Sequence, residues 1–156
     1  MRIKIFGKAK NVSPRETRYA IRWFSNMLLG PKRSHKLEID VVNMDSVRLG
    51  KFIATSISTG YVNDRRPNGF EIEIKETMNR VDYLKAIAHE LVHVKQIARN
   101  ELFYYMNKPA KWRDTFVDDT KVHYYDLPWE IEAHGRELGL WVRYKYHLKK
   151  EGISFD

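Results

Sequence analysis

Ala86-Ile87-Ala88-His89-Glu90-Leu91-Val92-His93 is the stretch on which the fold and the chemistry turn. Around it Leu84, Ile87, Ala88, Leu91 and Val92 recur at helical spacing, and Asn79 can cap that helix with Asp82 as its third residue. The helix is expected to end at about Arg99. Two histidines four positions apart on a helix lie about 40° from each other around its axis, so both imidazoles face one point. Zinc accepts neutral imidazole nitrogens, and Glu90, adjacent to His89, projects beside the ion where it can serve as general base toward a water. The bland alternative is a helix carrying two ordinary histidines and a surface glutamate.

A catalytic zinc needs a third protein ligand, and the sequence holds 0 Cys, so it must come from another histidine or a carboxylate. Downstream, Asp126-Leu127-Pro128 signals a helix start, and apolar residues from Ile131 to Leu148 keep helical spacing without a proline. On that helix Glu130, Ala133, His134, Glu137 and Trp141 share one stripe, whereas Glu132 points almost oppositely. Glu130 is therefore the expected third ligand, and small Ala133 lets the two helices approach. His134, one turn on, is placed either as a hydrogen-bonding orienter of a metal-bound histidine or as a replacement for Glu130 as ligand.

Around this pair the chain reads as one domain over residues 1–156. Ile3 to Phe6 alternate like a short strand, and Ser13-Pro14-Arg15-Glu16 has the form of a capping box opening a helix over Pro14–Leu29, ended by Gly30-Pro31. Leu37/Ile39/Val41, then Phe52/Ala54/Ser56/Ser58, then Phe70/Ile72/Ile74 alternate with period two. These runs predict a small, largely antiparallel sheet with Phe70 to Lys75 at its edge, where an extended peptide could add as a strand. Gly60 to Gly69 reads as a long solvated hairpin loop, and Glu101 to Tyr125 as a polar, aromatic-rich connection.

The motif Ala88-His89-Glu90-Leu91-Val92-His93, followed by Glu130 and Ala133, resembles the zincin metallopeptidases of the gluzincin type, over roughly residues 80–140. The longer phrases Ala88 to Gln96 and Leu127 to Ala133 also resemble small metallopeptidases encoded by tailed phages, loosely called SprT-like. The resemblance implies a minimal α+β zincin-like metalloprotease domain. In it a small sheet packs on an N-terminal helix and the metal helix, and a C-terminal helix gives the third ligand. It implies one Zn2+ held by His89, His93 and Glu130, with Glu90 activating water to hydrolyse peptide bonds, as an endopeptidase rather than an exopeptidase. Two departures stand out: gluzincins with an E-x-x-A-D sequence carry an acid where His134 stands, and SprT-type sites usually take a third histidine.

Further expectations concern partners. Peptide hydrolysis needs a donor for the developing oxyanion, for which His123 and Tyr125 are named beside Glu130 in sequence. Lys plus Arg number 28 against 20 Asp plus Glu, a net charge of +8 that favours anionic partners. Basic and aromatic residues interleave from Arg143 to Lys150, which makes weak nucleic-acid binding the companion expectation to a polypeptide substrate. The competing class is a metal-stabilised module that binds nucleic acid or protein without general proteolytic activity. No apolar run of membrane-spanning length and no signal peptide are read, so the expected address is cytoplasmic, the host cytoplasm for a phage protein.

Overall fold

Local sequence signals set the helix ends of this chain, described here from a computed structural model covering residues 1–45, 54–58, 67–105 and 107–155, with only the backbone of 54–58. After strand β1 (Arg2–Phe6), helix α1 (Pro14–Leu29) starts where the Ser13 hydroxyl accepts from the Glu16 amide at 3.1 Å. Only half of the expected capping box forms. The Glu16 carboxylate turns away from Ser13 and instead takes two hydrogen bonds from the Arg80 guanidinium at the start of helix α3 (Arg80–Ala98). A buried carboxylate gains more from a bidentate guanidinium than from one backbone amide, and the contact ties the two helices together.

Gly30 ends α1 at φ +76°, a conformation that favours glycine, but Pro31 then opens a short turn of helix α2 (Pro31–Ser34). Strands β2 (Glu38–Met44), β3 (Ala54–Ser58) and β4 (Gly69–Lys75) follow. The four strands form one sheet in the order β1-β2-β4-β3. Contrary to the antiparallel expectation, β1 pairs with β2 and β2 with β4 in parallel, and only β3 runs antiparallel to β4. Alternation reports that one face is buried and carries no information on direction. Direction follows from the connections, and the helical crossover through α1 brings β2 back alongside β1 in parallel. The edge assignment changes with it: Phe70 to Lys75 lie inside the sheet, between β2 and β3, and β1 and β3 are the edges. Phe52, and the Gly60 to Arg66 part of the expected hairpin loop, lie outside the described residues.

Ile39 and Val41 of β2 and Phe70, Ile72 and Ile74 of β4 are buried, in one core with Ile21 and Phe24 of α1 and Leu84, Ile87, Leu91 and Val92 of α3. Asn43 sits in this otherwise apolar layer with its polar atoms paired, giving a hydrogen bond to the Phe6 carbonyl and accepting one from the Tyr83 hydroxyl at 2.8 Å. Asn79 caps α3 through the Asp82 amide at 3.0 Å, as the sequence predicts.

The segment expected to be an aromatic-rich connection holds a second sheet of three short strands, β5 (Leu102–Phe103), β6 (Ala110–Trp112) and β7 (Thr115–Val117). Leu102 and Ala110 pack with Leu127 and Trp129 in a separate small core, which fixes the entry to helix α4 (Pro128–Glu151). Helix α4 packs along α3, and its buried Ala133, Trp141 and Tyr144 join the main core, the Tyr144 ring against Trp23 and Phe24 of α1. The chain is a mixed α and β structure with small sheets, in keeping with the α+β class.

Candidate metal centre

Because α3 and α4 lie side by side, His89, His93 and Glu130 converge, all three buried. Nε2 of His89 and Nε2 of His93 stand 3.2 Å apart, and each lies 3.4 Å from a different oxygen of the Glu130 carboxylate. Four ligands arranged tetrahedrally at ~2.0–2.1 Å from an ion are separated from one another by about 3.3 Å. The two nitrogens, and each nitrogen with its own carboxylate oxygen, have close to that spacing.

The hydrogen bonds behind the rings say what those donors carry. Gln96, fully buried, donates from Nε2 to the Trp129 carbonyl and to Glu132, both at 3.0 Å, so its Oε1 faces His93 Nδ1 at 2.8 Å as an acceptor. Nδ1 of His89 faces the Glu137 carboxylate at 2.9 Å. Both Nδ1 atoms therefore carry hydrogen, a tautomer assigned from the network. Both Nε2 atoms of the neutral rings then point lone pairs at each other and at a carboxylate. Three acceptors aimed at one point need a proton or a cation between them.

The titration tendencies of the metal-free site express the same demand. Burial works against charge on His89, but the Glu130 and Glu137 carboxylates outweigh it and push the imidazole up to about 9. His93 is raised in the same way, with burial opposed by Glu130 and Glu90. Burial would raise the Glu130 carboxyl, yet hydrogen bonds from His89 and His93, with Tyr124 adding another, hold it far below the usual carboxylate range. Glu90, on α3 between the histidines, is buried, and its charge acts on both rings and on the Tyr104 and Tyr124 phenols.

The other residues singled out in the sequence lie around this cluster. The His134 ring centre lies 4.5 Å from that of His89, but the hydrogen-bond partner of His89 expected there is Glu137, which accepts from Nδ1. His123 and Tyr125 are exposed; the Tyr125 ring lies 5.4 Å from that of His134, tilted against it. The neighbouring Tyr124 is the one that reaches Glu130, donating from its hydroxyl at 2.7 Å. Glu132 does point away from the three donors, and its carboxylate receives Lys95 at 2.7 Å, Gln96 and Arg136, so it stands behind Gln96. Lys95 is itself buried, shared between Glu132 and Glu101.

Gln96 and Glu137 were legible in part. Each stands where helical spacing places a residue near the motif: Gln96 three positions after His93, and Glu137 on the Glu130 stripe. Tyr104, just after β5, carries no comparable signal. The residue is 51% exposed, yet partial desolvation of its phenol and the Glu130, Asp119 and Glu90 carboxylates hold that group above its ordinary range, and its ring lies 5.9 Å from Trp129. No protein-family model, curated protein or solved structure matches this chain.

Proposed function

We propose that the chain is a zinc-dependent metallopeptidase with a zincin-like site, cleaving within polypeptide chains. The observation that carries this reading is the convergence of two imidazole nitrogens 3.2 Å apart on one carboxylate, each 3.4 Å from one of its oxygens, with a buried glutamate beside them. The donor set fits zinc: two neutral nitrogens and one oxygen leave a fourth position for water or substrate. When bound there, zinc supplies Lewis acidity, lowering the pKa of water and polarising a carbonyl.

The chain's own residues supply the rest. Glu137 and Gln96 fix the two rings so that Nε2 of each is the free donor, and Tyr124 holds one Glu130 oxygen. Glu90 accepts the proton of the attacking water and passes it to the leaving amine nitrogen. Tyr104, a phenol protonated through the neutral range as any tyrosine is and raised further by three nearby carboxylates, is the donor we assign to the carbonyl oxygen as charge develops there. Tyr104 is half exposed, like its rivals, and is distinguished from His123 and Tyr125 by the Glu130 and Glu90 charges that act on its phenol.

Glu90→Gln tests the reading, since it preserves side-chain size and removes the proton acceptor. Zinc content and fold are expected to survive while hydrolysis of an unfolded protein falls at least ~10²-fold, the scale of general-base catalysis. Cleavage that persists in this variant refutes the mechanism. A zinc-loaded wild type that cleaves nothing across a broad peptide library returns the chain to the class of metal-stabilised binding modules.

A further inference from the structure

His89 presents its two ring nitrogens to two different clusters. Nε2 belongs to the set with His93 and Glu130; Nδ1 faces Glu137, whose Oε2 lies 2.9 Å from it and 3.6 Å from Nδ1 of His134. The ligand atoms of His89, His134 and Glu137 all lie within 4.8 Å of one another. His134 and Glu137 are three positions apart on α4 and so share a face, and the His134 ring is already seated against His89. The second cluster is the open one: the His134 and Glu137 side chains are 39% and 29% exposed, against 8–12% for the first three donors.

We propose that this second cluster is a regulatory zinc site, in which Nδ1 of His134 and the Glu137 carboxylate take a second ion, with waters completing its shell. An imidazole and a carboxylate are donors zinc accepts. The ion binds more weakly than the first, because His89 Nδ1 carries a proton whenever its Nε2 is a ligand, leaving two protein donors at a solvent-exposed position. The two sites are coupled through Glu137. It is the acceptor that orients His89, and a cation drawing on the same carboxylate competes with that hydrogen bond. Losing such an outer partner typically lowers metal affinity ~10–100-fold. By reciprocity the first ion depresses the affinity of the second by the same factor. One ion is then held at low free zinc, and a second arrives in excess and slows the enzyme by loosening His89. This inference rests on the first site holding zinc as proposed above.

The test is equilibrium dialysis of the metal-stripped full chain against Zn2+, with activity followed in parallel. Wild type is expected to show one tight and one weak class, each of one ion. Glu130→Ala removes the tight class. His134→Phe keeps an aromatic ring against His89 but offers no nitrogen, and it is expected to remove the weak class and the inhibition by excess zinc. Glu137→Gln, which keeps an acceptor for His89, is expected to remove the weak class as well and stands in should His134→Phe fail to fold. A single tight class in wild type, or a weak class that survives both of these variants, overturns the inference and leaves the peptidase reading intact. A weak class lost in His134→Phe, with no tight class sensitive to Glu130→Ala, keeps the second site and refutes the first.

Discussion

Gln96→Leu removes an amide that joins the two helices beneath the metal centre. Gln96 is fully buried and makes three contacts: it accepts from His93 at 2.8 Å and donates to the Trp129 carbonyl and to Glu132, each at 3.0 Å. Leucine is close to glutamine in volume, so the change is one of polarity rather than of packing. Each bond contributes ~1 kcal/mol net, so the metal-free protein is expected to lose ~3 kcal/mol, or ~6–12 °C in Tm for a chain of this size. Zinc affinity should fall separately, by ~10–100-fold or ~1.4–2.7 kcal/mol, because the His93 ring loses the acceptor that sets its tautomer and direction. Calorimetry of the metal-free protein reads the first effect, and competition with a chromophoric chelator reads the second. A lower Tm with zinc affinity unchanged would refute the claim that Gln96 orients His93, leaving it as a helix-to-helix tie alone.

Three further outcomes are expected. The metal-free folded state holds His89 at about 9 against 6.5 for the free group, so its contribution to stability is complete below pH 6.5 and is lost as pH rises through 9. Zinc binding runs the opposite way, because the ion displaces that proton. At pH 7, two pH units below that value, proton competition weakens binding ~10²-fold, and calorimetry in buffers of different ionisation enthalpy should register proton release. Glu16→Ala strips Arg80 of its bidentate partner and should lower stability by ~1–3 kcal/mol in urea unfolding without changing zinc affinity, since the pair sits at the N-terminal end of α3. If the exposed Lys145, Lys149 and Lys150 on α4 contact nucleic acid, single-strand binding should weaken steeply with salt, and replacing all three by alanine should flatten that slope; absence of binding at low salt removes the nucleic-acid expectation.

The chemistry of this protein was written locally. The Asn79 cap, the His89-Glu90-Leu91-Val92-His93 spacing and the Glu130/Ala133/Glu137 stripe are all properties of single helices, whose geometry depends on a few neighbouring residues. For that reason the three donors could be named from the chain alone. The parallel pairing of β1, β2 and β4 could not be, because alternation describes the faces of a strand and is silent on its direction and neighbours. The small sheet of β5, β6 and β7 was equally hidden: strands of two or three residues are too short to show a period, and they exist because Leu102 and Ala110 find Trp129 across the fold. Within the site, a sequence stripe ranks residues by angle around one axis and cannot say which atom meets which across two. Only the packing of α3 against α4 placed Glu137 rather than His134 on His89, 48 positions away in sequence, and only the turn that enters α4 put the Tyr124 hydroxyl on Glu130, since each choice is a matter of one hydrogen-bond length.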